Sequence, residues 1–260
     1  MKKFTILMAA IALVCFSVPA MAVDWNFYGN ARMQTFWTSQ KDNINDENDG
    51  TKVKSTDLRW DLQSNSRVGA NVKADHIRGQ FEYGAGSASD GGDGDVNLRR
   101  LYGIWNFGAG TLKVGKDYSP TTHFVSNQAF DVDLGLLEFG APYSGRPGQI
   151  ALGFGGFEVA LVTPKTGVGL EDTSTGSTGQ NADGQAKRII PKLEASWGMA
   201  FDAFNFKLFG GYQYYSLKNV DSITNPGDTN DISVTSYTVG GSGMFNFGPA
   251  YVGAQAQYGR

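Results

Sequence analysis

The chain has 260 residues, 22 basic and 25 acidic side chains, a formal net charge of −3, one cysteine and 35 glycines. Removing Lys2 and Lys3 with an N-terminal leader leaves 20 basic against 25 acidic groups, a balance that argues against a nucleic-acid partner. After Val23 no apolar run approaches the roughly 20 residues of a transmembrane helix, so two classes remain: a soluble all-β protein or a transmembrane β-barrel.

The leader is residues 1–22. Met1-Lys2-Lys3 is a basic start, Phe4 to Val18 is apolar, Pro19 breaks the run, and Ala20-Met21-Ala22 forms a small-residue cleavage site. This pattern predicts a secretory signal peptide cut before Val23. Cys15 lies within the apolar run behind bulky Val14, a poor lipidation site. The exported chain then has no cysteine and must be stabilised without disulfides.

The first predicted strand is Asp24 to Thr38. Trp25, Phe27, Gly29, Ala31, Met33, Thr35 and Trp37 share one face, and Asn26, Tyr28, Asn30, Arg32, Gln34, Phe36 and Thr38 share the other. From Trp25 to Trp37, strand rise and a tilt of ~40° give ~30 Å, the height of an outer-membrane apolar band with its aromatic girdles. A polar loop, Lys41 to Lys54, leads to the second strand, Asp57 to Lys73, and a short turn to the third, Gly79 to Ala85. A second polar loop, Ser87 to Asn97, precedes a hairpin of Arg99 to Phe107 and Thr111 to Lys116, closed by Gly108-Ala109-Gly110. The segment Asp117 to Gly148 has no strand period. It carries Asp117, Asp131, Asp133 and Glu138 against one cation, Arg146.

The remaining strands are Gln149 to Phe154, Phe157 to Thr163, Arg188 to Ala200, Phe204 to Ser216, Ile232 to Phe247 and Ala250 to Tyr258. Eleven strands result, joined alternately by long polar loops and short turns. That alternation is the pattern of outer-membrane barrels, with long extracellular loops and short periplasmic turns. A sandwich would scatter its loop lengths. The aromatics agree: Trp25, Trp105, Phe107, Trp197, Phe201, Phe204, Phe245 and Phe247 fall near the short turns, and Trp37, Trp60, Tyr212 and Tyr214 toward the other end. The fold class is therefore all-β, a transmembrane antiparallel β-barrel.

Several segments, in order, resemble the trimeric general porins of Gram-negative outer membranes. Ser66-Arg67-Val68-Gly69 looks like an early porin strand. Tyr102-Gly103-Ile104 followed by Gly110-Thr111-Leu112-Lys113-Val114-Gly115-Lys116 looks like the porin hairpin. Asp117-Tyr118-Ser119-Pro120 resembles the opening of the third loop, and Leu137-Glu138-Phe139-Gly140 its acidic element. The resemblance implies sixteen strands, about eleven of them present here, three barrels per assembly, and a third loop, 117–148, folded inward. Lys116 departs from the arginine usual in that hairpin, so no pore role is carried to it. The barrel domain, 23–260, lacks the terminal aromatic strand of the family, so a C-terminally truncated chain is expected.

Strand parity places Arg32, Arg59, Arg67, Lys73, Arg100, Lys113, Arg188, Lys192 and Lys207 on the inward faces, with Asp57, Asp61, Glu82, Glu158 and Glu194. The segment Asp117 to Gly148 is net −3. If it folds inward, opposed charges meet at a hydrated constriction and filter solutes by size and charge. The expected basic wall is Arg32, Arg59, Arg67 and Arg100, because guanidinium stays charged among like neighbours. The expected acidic side is Asp131, Asp133 and Glu138.

The function expected is an outer-membrane porin passing small hydrophilic solutes and ions by diffusion, as a homotrimer among outer-membrane lipid and lipopolysaccharide. Alternatives are a sugar- or anion-selective channel, or a surface adhesin or structural barrel. No enzyme is expected, since His76 and His123 stand apart from any Ser/His pair. No cofactor or metal is expected either. Asp93-x-Asp95-x-Asn97 lacks the glutamate of a calcium loop, having Ile104 at position twelve.

Overall fold

The structure is a computed structural model that describes residues 23–42, 53–63, 65–85, 96–124, 142–166, 186–221 and 229–260. The leader, residues 1–22, lies outside the described residues. All regular structure described is β. The strands are β1 (Asp24–Asn30), β2 (Met33–Asp42), β3 (Val53–Leu62), β4 (Arg67–Lys73), β5 (Ile77–Ala85), β6 (Val96–Asn106) and β7 (Thr111–Lys116). They continue with β8 (Gly148–Phe154), β9 (Phe157–Val162), β10 (Ala186–Lys187), β11 (Lys192–Ala200), β12 (Phe204–Asp221), β13 (Thr229–Phe247) and β14 (Ala250–Gly259).

One sheet runs β1-β4-β5-β6-β7-β8-β9-β11-β12-β13-β14, every pair antiparallel, with β10 added to β12 and β2-β3 forming a separate pair. Within the described residues the sheet is open, with β1 and β14 at its edges. Sequence neighbours are sheet neighbours, apart from β2, β3 and the two-residue β10. The exception of β2 and β3 comes from a break in the first long hairpin. Asn30 pairs with Arg67 and Met33 with Leu62, so the ladder is interrupted at Ala31 and Arg32. Gln63 N–H donates to the Arg32 carbonyl at 2.7 Å, and Arg32 N–H donates to Ser66 Oγ at 2.9 Å. These bonds satisfy the backbone where the ladder is interrupted. The two strands expected as continuous, Asp24 to Thr38 and Asp57 to Lys73, are thus each divided. The remaining expected strands are present, their ends moved by a few residues; the eighth begins at Lys192 rather than Arg188.

The two faces differ as period two dictates. On β9, Leu161 is 49% exposed and Val162 1%. Large apolar side chains exposed on one face include Phe27, Leu101, Trp105, Ile150, Leu193, Trp197, Leu208, Val239 and Phe245. A soluble monomer rarely exposes so continuous an apolar surface, whereas the hydrocarbon of a bilayer accepts it. Aromatic pairs gather at the short-turn end of this belt. Trp25 stacks on Phe27 at 6.0 Å, Trp105 meets Phe107 at 5.7 Å, Phe107 meets Phe154 at 6.0 Å, and Phe245 meets Phe247 at 5.4 Å. Two-residue turns join β8 to β9 through Gly155-Gly156 and β13 to β14 through Gly248-Pro249, with Gly155 at φ 59° and Gly248 at φ 67°, the left-handed conformation that two-residue hairpin turns favour.

Candidate pore-lining site

The inner face is polar, and its charges are paired rather than bare. On the early strands they converge on Glu82 of β5. Arg99 Nε donates to Glu82 Oε1 at 2.7 Å, Tyr28 OH donates to Glu82 Oε2 at 2.9 Å, and Arg67 stands 3.7 Å from the same oxygen. Gln80 Nε2 donates to Tyr28 OH at 2.6 Å, and Tyr102 OH donates to Gln80 Oε1 at 2.8 Å. The result is a continuous hydrogen-bonded line across β6, β5 and β1, with Arg67 of β4 adding an ion pair and the Glu82 carboxylate 2% exposed. A charge so buried is tolerable because cations and donors surround it.

Arg99 is not among the expected wall residues, because alternation along the strand puts it on the face opposite Arg100. The register explains its position. Glu82 pairs with Arg100 and Tyr83 with Leu98, so Arg99 is the extra residue of a β-bulge. The bulge lets two successive arginines reach the inner face. No one-strand pattern signals it; the doublet Arg99-Arg100 within an otherwise alternating strand is the only trace.

Arg100 belongs to a second cluster. Its guanidinium meets Asp117 Oδ1 at 2.8 Å and lies over the rings of Tyr102 and Tyr118, at 5.3 and 5.4 Å from their centroids. Lys113 Nζ stands 3.5 Å from Asp117 and 3.2 Å from Glu158. Asp117 is the first residue after β7, so the chain leaving the hairpin is fastened at once to the inner wall. Gly115 starts this departure. Its φ of 134° is one that side chains avoid, and a Cβ there would collide with the Leu101 carbonyl and with Tyr102.

The next residues move across the sheet. Gln149 Nε2 of β8 donates to the carbonyls of Asp117 and Tyr118, at 3.1 and 2.8 Å. Thr121 donates to Glu194 Oε2 of β11 through its backbone N–H at 3.0 Å and its hydroxyl at 2.7 Å. Lys192 Nζ holds the other Glu194 oxygen at 2.6 Å. Lys207 Nζ of β12 donates to the Thr122 carbonyl at 2.9 Å. From β7 to β11 is three strand spacings, about 14 Å, a distance four extended residues can span.

The register shows what lies beneath. Lys113, Ala151, Ala160, Glu194 and Gly211 follow one another across β7, β8, β9, β11 and β12 as direct partners. The ends of the row hold Asp117 and Thr121. Its middle is alanine, and both alanines are 1% exposed although they belong to the inner face. At the far end, a Cβ on Gly211 would stand 3.3 Å from Thr121 Cγ2. Small residues thus form a trough along the path of the departing chain, residues 117–122.

The expected basic wall is placed as follows. Arg67 and Arg100 are brought to the inner face, in different clusters. Arg32 sits at the break between β1 and β2. Arg59 lies in β3 opposite Phe36, within the separate two-stranded pair. Arg67 and Arg100 thus meet different carboxylates, Glu82 and Asp117. The expected acidic residues Asp131, Asp133 and Glu138 lie outside the described residues. His123, next along the departing chain, borders a cavity of about 700 Å³ near the short turns, lined also by Arg78, Asn106, Glu158, Ser196 and Lys207. Burial holds its imidazole below the ordinary value, and the Lys207 ammonium acts in the same direction.

A family described as Gram-negative porin matches the sequence over residues 9–260. Among solved structures the fold is similar to the outer membrane channel DcaP of Acinetobacter baumannii. The identity is 18% and the TM-score 0.60, covering 93% of this chain and 65% of that one. It is similar also to the trimer form of OmpT, an outer membrane protein of Vibrio cholerae, at 16% identity and a TM-score of 0.52, covering 92% and 66% of the two chains. No curated protein matches the sequence. At these identities the likeness concerns the fold, and the chain spans 65% of the length of DcaP.

Proposed function

Since the chain belongs to the Gram-negative porin family and resides in the outer membrane as an all-β barrel protein, we propose that it forms a water-filled channel for passive diffusion of small hydrophilic solutes and ions, narrowed by the segment 117–148. The observation that carries this reading is the fastening of residues 117–122 across the inner face, to Arg100, Lys113, Gln149, Glu194 and Lys207. A loop that left the rim outward would have no reason to meet side chains of β11 and β12.

In this reading Asp131, Asp133 and Glu138 continue the same path and face the basic groups of the early strands, Arg67 and Arg100 first among them. Arg32 and Arg59 complete the proposed basic wall. Opposed charges in water at a narrow point set ion preference and orient dipolar solutes. The channel works without covalent chemistry and without a cofactor. A homotrimer embedded in lipid and lipopolysaccharide is the proposed assembly; the trimer form known for the OmpT fold relative supports it.

Planar-bilayer recording of the purified full chain tests the proposal. Ohmic steps arriving in threes are expected. Deleting residues 129–139 should raise the step size and relax ion preference, and unchanged steps would place that segment outside the pore.

A further inference from the structure

The geometry points to a binding site for a small multivalent anion, with carboxylate or phosphate groups, at the strand-end rim away from the short turns. The inference rests on the channel reading above, since its ligand is a solute in passage. The site is a pocket of about 300 Å³ between the return of the segment into β8 and the ends of β7, β9 and β11. Lys116, Arg146, Lys165 and Lys192 line it, with the hydroxyl-bearing Ser144 and Thr163. No carboxylate lines it among the described residues.

Lys116 borders the cavity from the outer face, as the register partner of outward Leu101, while Arg146, Lys165 and Lys192 gather three further cations around it; like charges so close repel one another, so the arrangement is costly unless a counter-ion enters. Their internal pairing does not remove the excess. Lys192 is bound to Glu194, which Thr121 also occupies. Among the described residues Lys116, Arg146 and Lys165 have no acidic partner. Arg146 supplies a second, independent sign. Its guanidinium is held 5.1 Å from the centroid of the Tyr118 ring, and its Nε is buried with no hydrogen-bond partner among the described residues. A buried donor left unpaired is unfavourable, and an anion oxygen is the acceptor that suits it.

Tyr118 connects this pocket to the pore wall, since Arg100 lies over the same ring. Tyr118 thus carries both guanidinium groups, that of the pocket and that of the inner wall. The pocket would raise the local concentration of anions ahead of the acidic segment and set which multivalent solutes enter.

Titration calorimetry of inorganic pyrophosphate into the detergent-solubilised full chain tests this. Saturable binding is expected, weakened at least tenfold in the double variant Arg146→Gln, Lys165→Gln and strongly reduced by 0.5 M KCl, but unchanged in Lys187→Gln. Lys165 is exposed, so the single variant Lys165→Gln provides the test if the double variant fails to fold; a loss of about threefold is expected. Absent binding, or equal affinity in the variants, would overturn the site. Bilayer recordings separate the two proposals: a chain that binds pyrophosphate but never conducts keeps the site and loses the channel, and a conducting chain without binding does the reverse.

Discussion

Thr121, five residues after β7, donates both its backbone N–H and its hydroxyl to one oxygen of Glu194 on β11. Two strands lie between them in the sheet. Glu194 is fully buried, so its charge depends on Thr121 and Lys192 together. Glu194→Ala should release the departing chain and strand the Lys192 ammonium, at about 3–5 kcal/mol, the usual cost of breaking a buried pair from one side. Glu194→Gln keeps the size and one acceptor and should lose less. Thermal unfolding would rank the two, and single-channel recordings should show noisier, larger steps in the alanine variant. Equal, quiet steps in both would mean that this anchor does not hold the constriction.

The Arg99–Glu82 pair gives a sharper test of stability. Arg99 is 7% exposed and its Nε donates to a carboxylate that also serves Tyr28. Arg99→Met should destabilise the barrel by several kcal/mol, and Glu82→Gln likewise, because each leaves a buried partner uncompensated. The double variant should lose less than the sum. A thermodynamic cycle over the three variants, read from urea titrations, is expected to give a coupling above about 1 kcal/mol. Strict additivity would contradict the contact.

His123 should make the attachment of the segment pH-dependent. Its folded pKa lies below the ordinary value, chiefly through burial and secondarily through Lys207. The sign follows from linkage: its stabilising contribution is whole above the unfolded pKa of about 6.5 and is lost as pH falls through the lower, folded value. A proton NMR titration should place the imidazole midpoint below 6.5, and the acid-side change in conductance should disappear in His123→Asn. A midpoint at or above the unfolded value would refute the burial described for it.

Gly115 should tolerate no side chain. A valine there must adopt a φ near 134° and displace the Leu101 carbonyl. The backbone strain alone is about 1–3 kcal/mol, before the clash. Gly115→Val is expected to lower refolding yield sharply, as seen by heat-modifiable mobility on gels, whereas Gly103→Ala, with open space around its Cβ position, should refold normally.

Much of this was legible in the sequence. Period two exposed the strands, and the alternation of short and long connections gave their order, because each strand carries that signal within itself. What stayed hidden depends on relations between strands. Arg99 reaches the inner face because a bulge between Glu82 and Tyr83 reverses parity locally, and no alternation within one strand carries that. The separate pairing of Arg67 to Glu82 and Arg100 to Asp117, and the break at Ala31-Arg32 that sends β2 and β3 to another sheet, depend likewise on neighbouring strands. Lys116 departs from the arginine of the resemblance, and it borders the pocket at the strand ends. The trough could not be read at all, since Lys113, Ala151, Ala160, Glu194 and Gly211 become a row only once four registers are fixed.

In the proposed channel that trough is a dial separate from electrostatics. Ala151 and Ala160, each 1% exposed, leave room on the inner face between the fastenings of residues 117–122 at Lys113 and Glu194. Exchanging either for valine or leucine should lift the segment toward the axis by the added methyl groups, and so lower the size cut-off while leaving every charge in place.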